Sequence, residues 1–435
     1  MEQFLIIIIF LISMVILRLT GFRFFGVNAH PLSLFLMIQV FILTVVGTIS
    51  LGIFGMPMSY GMDQYISDST RDAVVFLTFS SLSVLFLGLA ALSALKIIRT
   101  FEYIVDDNDI ALLKKLTYVS VAILALKLIS VAEIPFLLAL KGQVQAAADA
   151  KVRILTNQTG ITTFGLNYIV RSFTSYIFIA SAFMFAYARS NPAVRNLFLF
   201  NIVLVLINAL YDIQKQAIVL LALLAFWIFY TRKGELLFLV KGLFIAVGLA
   251  SIMFVMTLGH TLDLNIFKDV FQRVFLGQPE GMFFIRQYIE PSFDYTWLGF
   301  PFANTFDLPQ ADPAAEVVKI LFPGAGDSWL NSNTYYIAHA WSIFGNSAIL
   351  FGPLFVLLNI ALLILVGQYF MDKKAAIFYP IVFWFIVKMP LANIFTEFLW
   401  FKVLLDALIN LLFVALLIAI FEWKRKPNVS EEHEY

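Results

Sequence analysis

Apolar runs long enough to span a membrane recur from one end of this chain to the other, and no other feature constrains the fold as tightly. A helix needs about 17–25 residues to cross the hydrocarbon core of a bilayer. Eleven stretches read as spans, at about 3–17, 32–54, 72–95, 116–140, 162–187, 196–211, 213–230, 235–257, 346–370, 376–391 and 401–421. Composition removes the soluble alternative. The chain is 61% hydrophobic and 13% charged, with mean hydropathy +0.90, whereas soluble domains carry about 25% charged residues. Lipid offers no partner to a backbone N–H or C=O, so such runs close their hydrogen bonds internally, as helices. The expected fold class is all-α: a polytopic integral membrane helical bundle of about 11 transmembrane helices with one large, partly helical extracytoplasmic loop. Residues 1–257 would hold transmembrane helices 1–8, 258–345 the large loop, 346–422 helices 9–11, and 423–435 a cytoplasmic tail.

Several function classes fall away. The net charge of +1 and the lack of a basic face argue against a nucleic-acid partner. With no cysteine, disulfides and thiolate metal sites are excluded. Asp106-Asp107-Asn108-Asp109 lacks the glycine and distal glutamate of a calcium loop and reads as a solvated acidic turn. No Walker loop, dinucleotide fingerprint or nucleophile elbow occurs. At the start, Glu2 precedes the apolar run and Arg18 follows it, the reverse of a cleaved signal, so an uncleaved first helix is expected.

Lysine and arginine set the orientation. Arg18, Arg23, Lys96, Arg99, Lys114, Lys115, Arg189, Arg195, Arg232, Lys233, Lys373, Lys374 and the tail Lys424-Arg425-Lys426 fall on one face, read as cytoplasmic. The N-terminus is then outside and the C-terminus inside. The connection 258–345 lies on the outer face and is rich in aromatics, including Phe283, Phe284, Tyr288, Trp297, Trp329 and Tyr336. Ile266, Val270, Phe271, Val274 and Phe275 recur at helical spacing with Gly277 as C-cap, and a second helix is expected from Gly281 to Glu290, stopped by Pro291. A folded cap over the outer mouth of the bundle follows. Gln145 to Lys151, rich in alanine, is expected to carry the fourth helix outward.

Ionisable groups within spans are costly, and each is a functional candidate set against a structural one. Lys127 and Glu133 share the fourth span six residues apart, on different faces, so each should meet a neighbouring helix. Arg171 lies too deep in the fifth span to reach water and should face a polar interior. Asp212 and Lys215 mark the outer turn of a short hairpin, as a local ion pair or as the floor of a cavity. In the large loop, Arg273 borders an apolar face, Arg286 stands four residues from Glu290, and His339 precedes the ninth span.

The outer loop followed by Asn333-Thr334-Tyr335-Tyr336-Ile337-Ala338-His339-Ala340-Trp341-Ser342-Ile343-Phe344-Gly345, with Gly352 beyond, resembles the O-antigen polymerase family of Wzy type. Gln214-Lys215-Gln216, which brings a basic residue into a span, is similar to that family as well. The resemblance implies a polytopic glycosyltransferase of the C type in the bacterial inner membrane, with its large loop periplasmic. Its substrate would be an undecaprenyl-pyrophosphate-linked oligosaccharide, its surroundings the lipid bilayer, and its protein partner a chain-length regulator. It implies no cofactor and no metal.

The chemistry of that reaction selects side chains. A sugar–pyrophosphate bond breaks with negative charge growing on the leaving group, which arginine or lysine can meet. Arg171 and Lys215 are candidates for that role, and His339 for the base that takes the acceptor proton, with Glu290 or Asp294 as substitutes. Arg273, Arg286, Asn331, Asn333 and Asp212 are candidates for holding the pyrophosphate-linked substrate, and Trp297, Trp329 and Tyr336 for stacking on sugar rings. An O-antigen ligase shares the architecture, with a basic residue and a histidine in its large loop. A transporter or lipid-linked glycan flippase would instead show broken charged helices, of which Glu133 beside Pro135 is the one hint.

Overall fold

The computed structural model describes residues 2–99, 103–129, 131, 133–155, 166–211, 215–258, 272–300, 302–323, 333–391 and 395–423. Among them every regular element is helical. The α-helices begin with α1 (Glu2–Leu19), α2 (Pro31–Phe35), α3 (Val46–Gly52), α4 (Asp68–Ala94), α5 (Asp107–Ile129) and α6 (Pro135–Leu140). Then come α7 (Val144–Leu155), α8 (Leu166–Tyr187), α9 (Pro192–Tyr211), α10 (Lys215–Lys233) and α11 (Leu236–Leu258). The large loop contributes α12 (Glu280–Tyr288), α13 (Pro313–Leu321) and α14 (Tyr336–Phe344), and the chain ends with α15 (Ala348–Lys388), α16 (Thr396–Leu399) and α17 (Lys402–Trp423). A π-helix, Leu36–Val45, joins α2 to α3.

The chain is an all-α membrane protein. Among the described residues, six stretches are long and apolar enough to cross a bilayer. α1 shows what they face: Ile6, Phe10, Ser13 and Leu17 are buried, whereas Phe4, Leu5, Ile8 and Ile12 are exposed. Water would penalise such a helix, and hydrocarbon does not. Phe10 packs edge-on against Phe79 and Phe86 of α4, at 5.4 and 5.3 Å between ring centroids.

Six is fewer than the eleven spans expected from hydropathy. One reason is that Tyr336–Lys388 counts once although the chain reverses within it. In a straight helix Gly367 and Val382 would stand ~22 Å apart. Instead, a Cβ on Gly367 would lie 2.6 Å from Val382 Cγ2, and the rings of Phe370 and Phe378 are 5.1 Å apart. Lys374, with φ −153° and ψ 76°, makes the turn, and its amine bonds Glu422.

The fourth span departs from expectation. It does not run unbroken over 116–140 but stops at Ile129, and α6 starts afresh at Pro135. Proline supplies a preset φ for a first helical residue and forces its predecessor out of helical geometry, as Ile134 shows with φ −90° and ψ 116°. Gly142, at φ +75°, then ends α6, so Gln145 to Lys151 belongs to a separate helix instead of extending the fourth. Glu133 is therefore half-exposed and bonds Arg153 at 2.7 Å. Lys127 meets a neighbouring helix as expected: its Nζ donates to Asn208 Oδ1 at 2.9 Å and stands over the Tyr211 ring.

The chain forms two compact units. One comprises Met1–Thr100, His260–Leu365 and Phe385–Leu404, and the other Phe101–Gly259, Val366–Trp384 and Leu405–Tyr435. Within each, polar contacts tie the ends of neighbouring helices together. In the first unit Ser93 Oγ bonds the Thr20 carbonyl. In the second, Tyr103 donates to the Ala376 carbonyl at 2.9 Å and packs on Tyr187, over whose ring Arg232 lies.

At the entry to α2, His30 caps the helix by accepting the Leu32 N–H on Nδ1 at 3.1 Å. Burial lowers its pKa from 6.5 to about 3. The unfolded chain therefore takes up the proton first as pH falls, and the stability contributed by neutral His30 declines from pH 6.5 towards 3. Thermal midpoints in detergent should fall over that window, and His30→Asn, which keeps a capping acceptor but does not titrate, should flatten the slope.

Candidate functional site

The cap that the large loop forms in the first unit grows from short amphipathic segments. α12 buries Met282, Phe283, Phe284 and Ile285, leaving Arg286, Gln287 and Tyr288 at its edge. Those edge residues join it to the N-terminus of α4. Gln287 Oε1 accepts from Ser67 N, Ser67 Oγ and Thr70 Oγ1 at 3.2, 3.0 and 2.6 Å, and the Tyr288 hydroxyl donates to the Tyr65 carbonyl at 2.9 Å. Backbone bonds complete the frame. Gly281 N donates to the Asn333 carbonyl at 2.9 Å, Ser292 N to Ser342 O at 2.7 Å, and Tyr336 N to Leu391 O at 2.7 Å.

α14 carries the segment with the family resemblance. Tyr336 through Ile343 are all buried, and the helix ends at Gly345, whose φ of +56° only glycine adopts without strain. The Tyr336 hydroxyl pairs with Ser81 Oγ at 3.2 Å, so this tyrosine packs inside the unit and is not available to a sugar. Asp312 caps α13 by accepting Ala314 N at 2.9 Å and stands within electrostatic reach of His339. Tyr295 donates to Glu316 of α13, and burial together with that acceptor raises its phenol pKa.

One cation is held in an unusual way. The Arg286 guanidinium sits over the Trp341 ring, 4.7 Å from its centroid, and not against Glu290. It lines a narrow crevice with Val74, Leu77, Met282, Ala338 and Trp341, with no room for a water molecule. Ala338 and Trp341 share one face of α14, and His339 lies on another. Thus Arg286 meets the Trp341 face of α14, while His339, carried by the same helix on another face, is only 2% exposed.

The other candidates distribute as follows. Asn333 is exposed, and its carbonyl holds α12. Trp297 stacks on Trp400, and Glu290 and Asp294 are exposed. Arg273 falls in the short π-helix Gln272–Leu276, Arg171 in α8 and Lys215 at the first position of α10. The side chains of these three, and Asp212, Asn331 and Trp329 entirely, lie outside the described residues. Arg286, His339 and Asn333 belong to the first unit, and Arg171 and Lys215 to the second.

Asp406 adds an ionisable group to those expected from sequence. It lies in α17, accepts from Asn410 Nδ2 at 2.9 Å and stands within electrostatic reach of Tyr176 on α8, the helix that also carries Arg171. An acid inside the apolar run 401–421 was its signal. Among the described residues, no three His, Cys, Asp or Glu side chains gather as a metal site.

No family model matches this chain, and neither does any curated protein or solved structure.

The cap is seated on the second span through Gly47. A Cβ there would lie 2.1 Å from the Phe275 carbonyl oxygen and 2.4 Å from Pro279 Cγ. Because the first obstacle is backbone, Gly47→Ala should cost about 1–3 kcal/mol, visible as a lowered thermal midpoint of the purified protein.

Proposed function

We propose that the chain is a polysaccharide polymerase of the bacterial inner membrane. It would join undecaprenyl-pyrophosphate-linked oligosaccharide repeat units on the periplasmic side. The observation that carries this reading is Arg286, a cation fixed over Trp341 and lining an apolar crevice in the cap of a membrane protein. A guanidinium so placed is weakly hydrated and presents a planar fork to phosphate oxygens. The architecture and the α14 segment's resemblance to Wzy-type polymerases point the same way.

In the proposed reaction an acceptor sugar hydroxyl attacks the anomeric carbon of the lipid-linked chain. A new C–O bond forms, the bond to pyrophosphate breaks, and its electron pair leaves with the pyrophosphate. Arg286 meets that charge, with Arg273, Asn331 and Asn333 of the same unit orienting the substrate; Arg171 and Lys215 are the candidates that the sequence offers for the same role. His339 takes the hydroxyl proton. It is enclosed in the present conformation, so the proposal requires the cap to open at α14. The ligase reading draws on the same pair, since Arg286 and His339 both belong to the outer cap.

Deletion in the native bacterium, with surface polysaccharide resolved on a gel, separates these readings. A polymerase leaves single-repeat glycan on its final acceptor and no long ladder. A ligase leaves long chains on the lipid carrier. An unchanged ladder sinks both and favours transport.

Complementation of the deletion should be abolished by Arg171→Ala and by Lys215→Ala. Arg286→Ala should lose about 10²–10³-fold in polymer formed, with Arg286→Lys intermediate because lysine keeps the charge but not the fork. His339→Ala should cost about 10²–10⁴-fold. Retained polymerisation in all four, at wild-type membrane levels, would remove the site assignment.

A further inference from the structure

The segment after Trp297 belongs to none of the chemistry above, yet it is folded closely. Gln310 draws it shut, accepting the Gly299 N–H on Oε1 at 3.0 Å and donating from Nε2 to the Trp297 carbonyl at 2.7 Å. Backbone bonds from Phe300 to Trp297, Ala303 to Phe300 and Leu308 to Ala303 hold the interior, and Ala303 is buried. Despite this order, Phe302 and Phe306 project outward at 51% and 64% exposure. They are four residues apart and joined by an N–H···O=C bond of 3.1 Å, one helical turn that sets both rings on one side. A single exposed phenylalanine needs no explanation. Two presented together by a rigid loop do.

The same loop is tied to the start of a spanning helix. Trp297 stacks on Trp400 at 5.5 Å and 20°, Phe300 packs against Trp400 at 4.4 Å, and Trp400 Nε1 donates to the Thr296 carbonyl at 2.8 Å. Two residues on, Lys402 opens α17, the last apolar span. Its Nζ lies under the loop, where a Cβ on Gly299 would come within 3.0 Å. Phe401 between them takes φ +50°, costly for an aromatic residue and sustained by the contacts on either side. The loop is therefore fixed at the depth where α17 leaves the bilayer. Tryptophan at such a boundary is the arrangement that membrane–water interfaces favour.

We propose that the loop 297–310 is an interfacial anchor, with Phe302 and Phe306 inserted among the lipids of the outer leaflet beside α17. The occupant of this surface is the bilayer itself. The anchor holds the outer cap at a set height over the membrane whichever reaction the cap serves.

The absence of cysteine makes the test direct. Phe302→Cys and Phe306→Cys, each bearing a nitroxide label, are reconstituted in vesicles of phosphatidylethanolamine and phosphatidylglycerol. Collision with dissolved oxygen and with a water-soluble nickel chelate is then measured by electron paramagnetic resonance. Phe4→Cys on the lipid face of α1 and Glu290→Cys on the exposed loop give the lipid and water references. The anchor predicts that labels at 302 and 306 meet oxygen and exclude nickel, as the label at 4 does. Nickel access matching that at 290 overturns the proposal, because the rings then stand in water. Protection from both reagents also overturns it, because protein and not lipid then covers the face.

Discussion

Hydrocarbon leaves backbone hydrogen bonds no outside partner, and the rest of the structure depends on that constraint. Each apolar run must close its own N–H and C=O groups, so each becomes a helix. Side chains then face either lipid, as Phe4 and Ile8 do, or a neighbouring helix, as Phe10 and Leu17 do. Where the chain abandons helical geometry, another group takes up the freed polar atoms. His30 caps α2, Asn359 Nδ2 donates to the Phe398 carbonyl at 2.9 Å, and the Leu391 carbonyl receives Tyr336 N at the start of α14.

The cap inherits its form from this frame. Its helices are short, and none could persist alone. They are held by bonds to residues at the ends of spans: Gln287 to Ser67 and Thr70, Tyr288 to Tyr65, and Trp400 to Thr296. This attachment lets a cation such as Arg286 keep a defined position over Trp341. Loosely held, the same guanidinium would be solvated and its field screened. The cap is seated on Gly47 and on the aromatic stack at Trp400.

Much of the fold was legible in the sequence because hydropathy and charge act one residue at a time. The short helix that ends before Pro291 follows from a local signal. The break after Ile129 was also written locally, in Pro135, but the apolar flanks concealed it. The site was less legible. Arg286 and Glu290 have the spacing of a surface ion pair, and only the approach of α14 shows the guanidinium facing a tryptophan instead. Asp406 lies inside an apolar run, and its surroundings, Asn410 and Tyr176, come partly from a helix more than two hundred residues earlier.

The sequence by itself determined that this chain is an all-helical membrane protein with one dominant loop between its apolar runs. It did so because transfer of apolar residues from water to lipid is a sum over residues and needs no knowledge of neighbours. The tertiary structure alone decided which groups of that loop meet. Arg286 lies over Trp341 of the helix that itself carries the buried His339, and Phe302 and Phe306 stand exposed on a closed loop. Those outcomes depend on distances between segments far apart in the chain, and such distances are fixed by packing and hydrogen bonding, which no single position encodes.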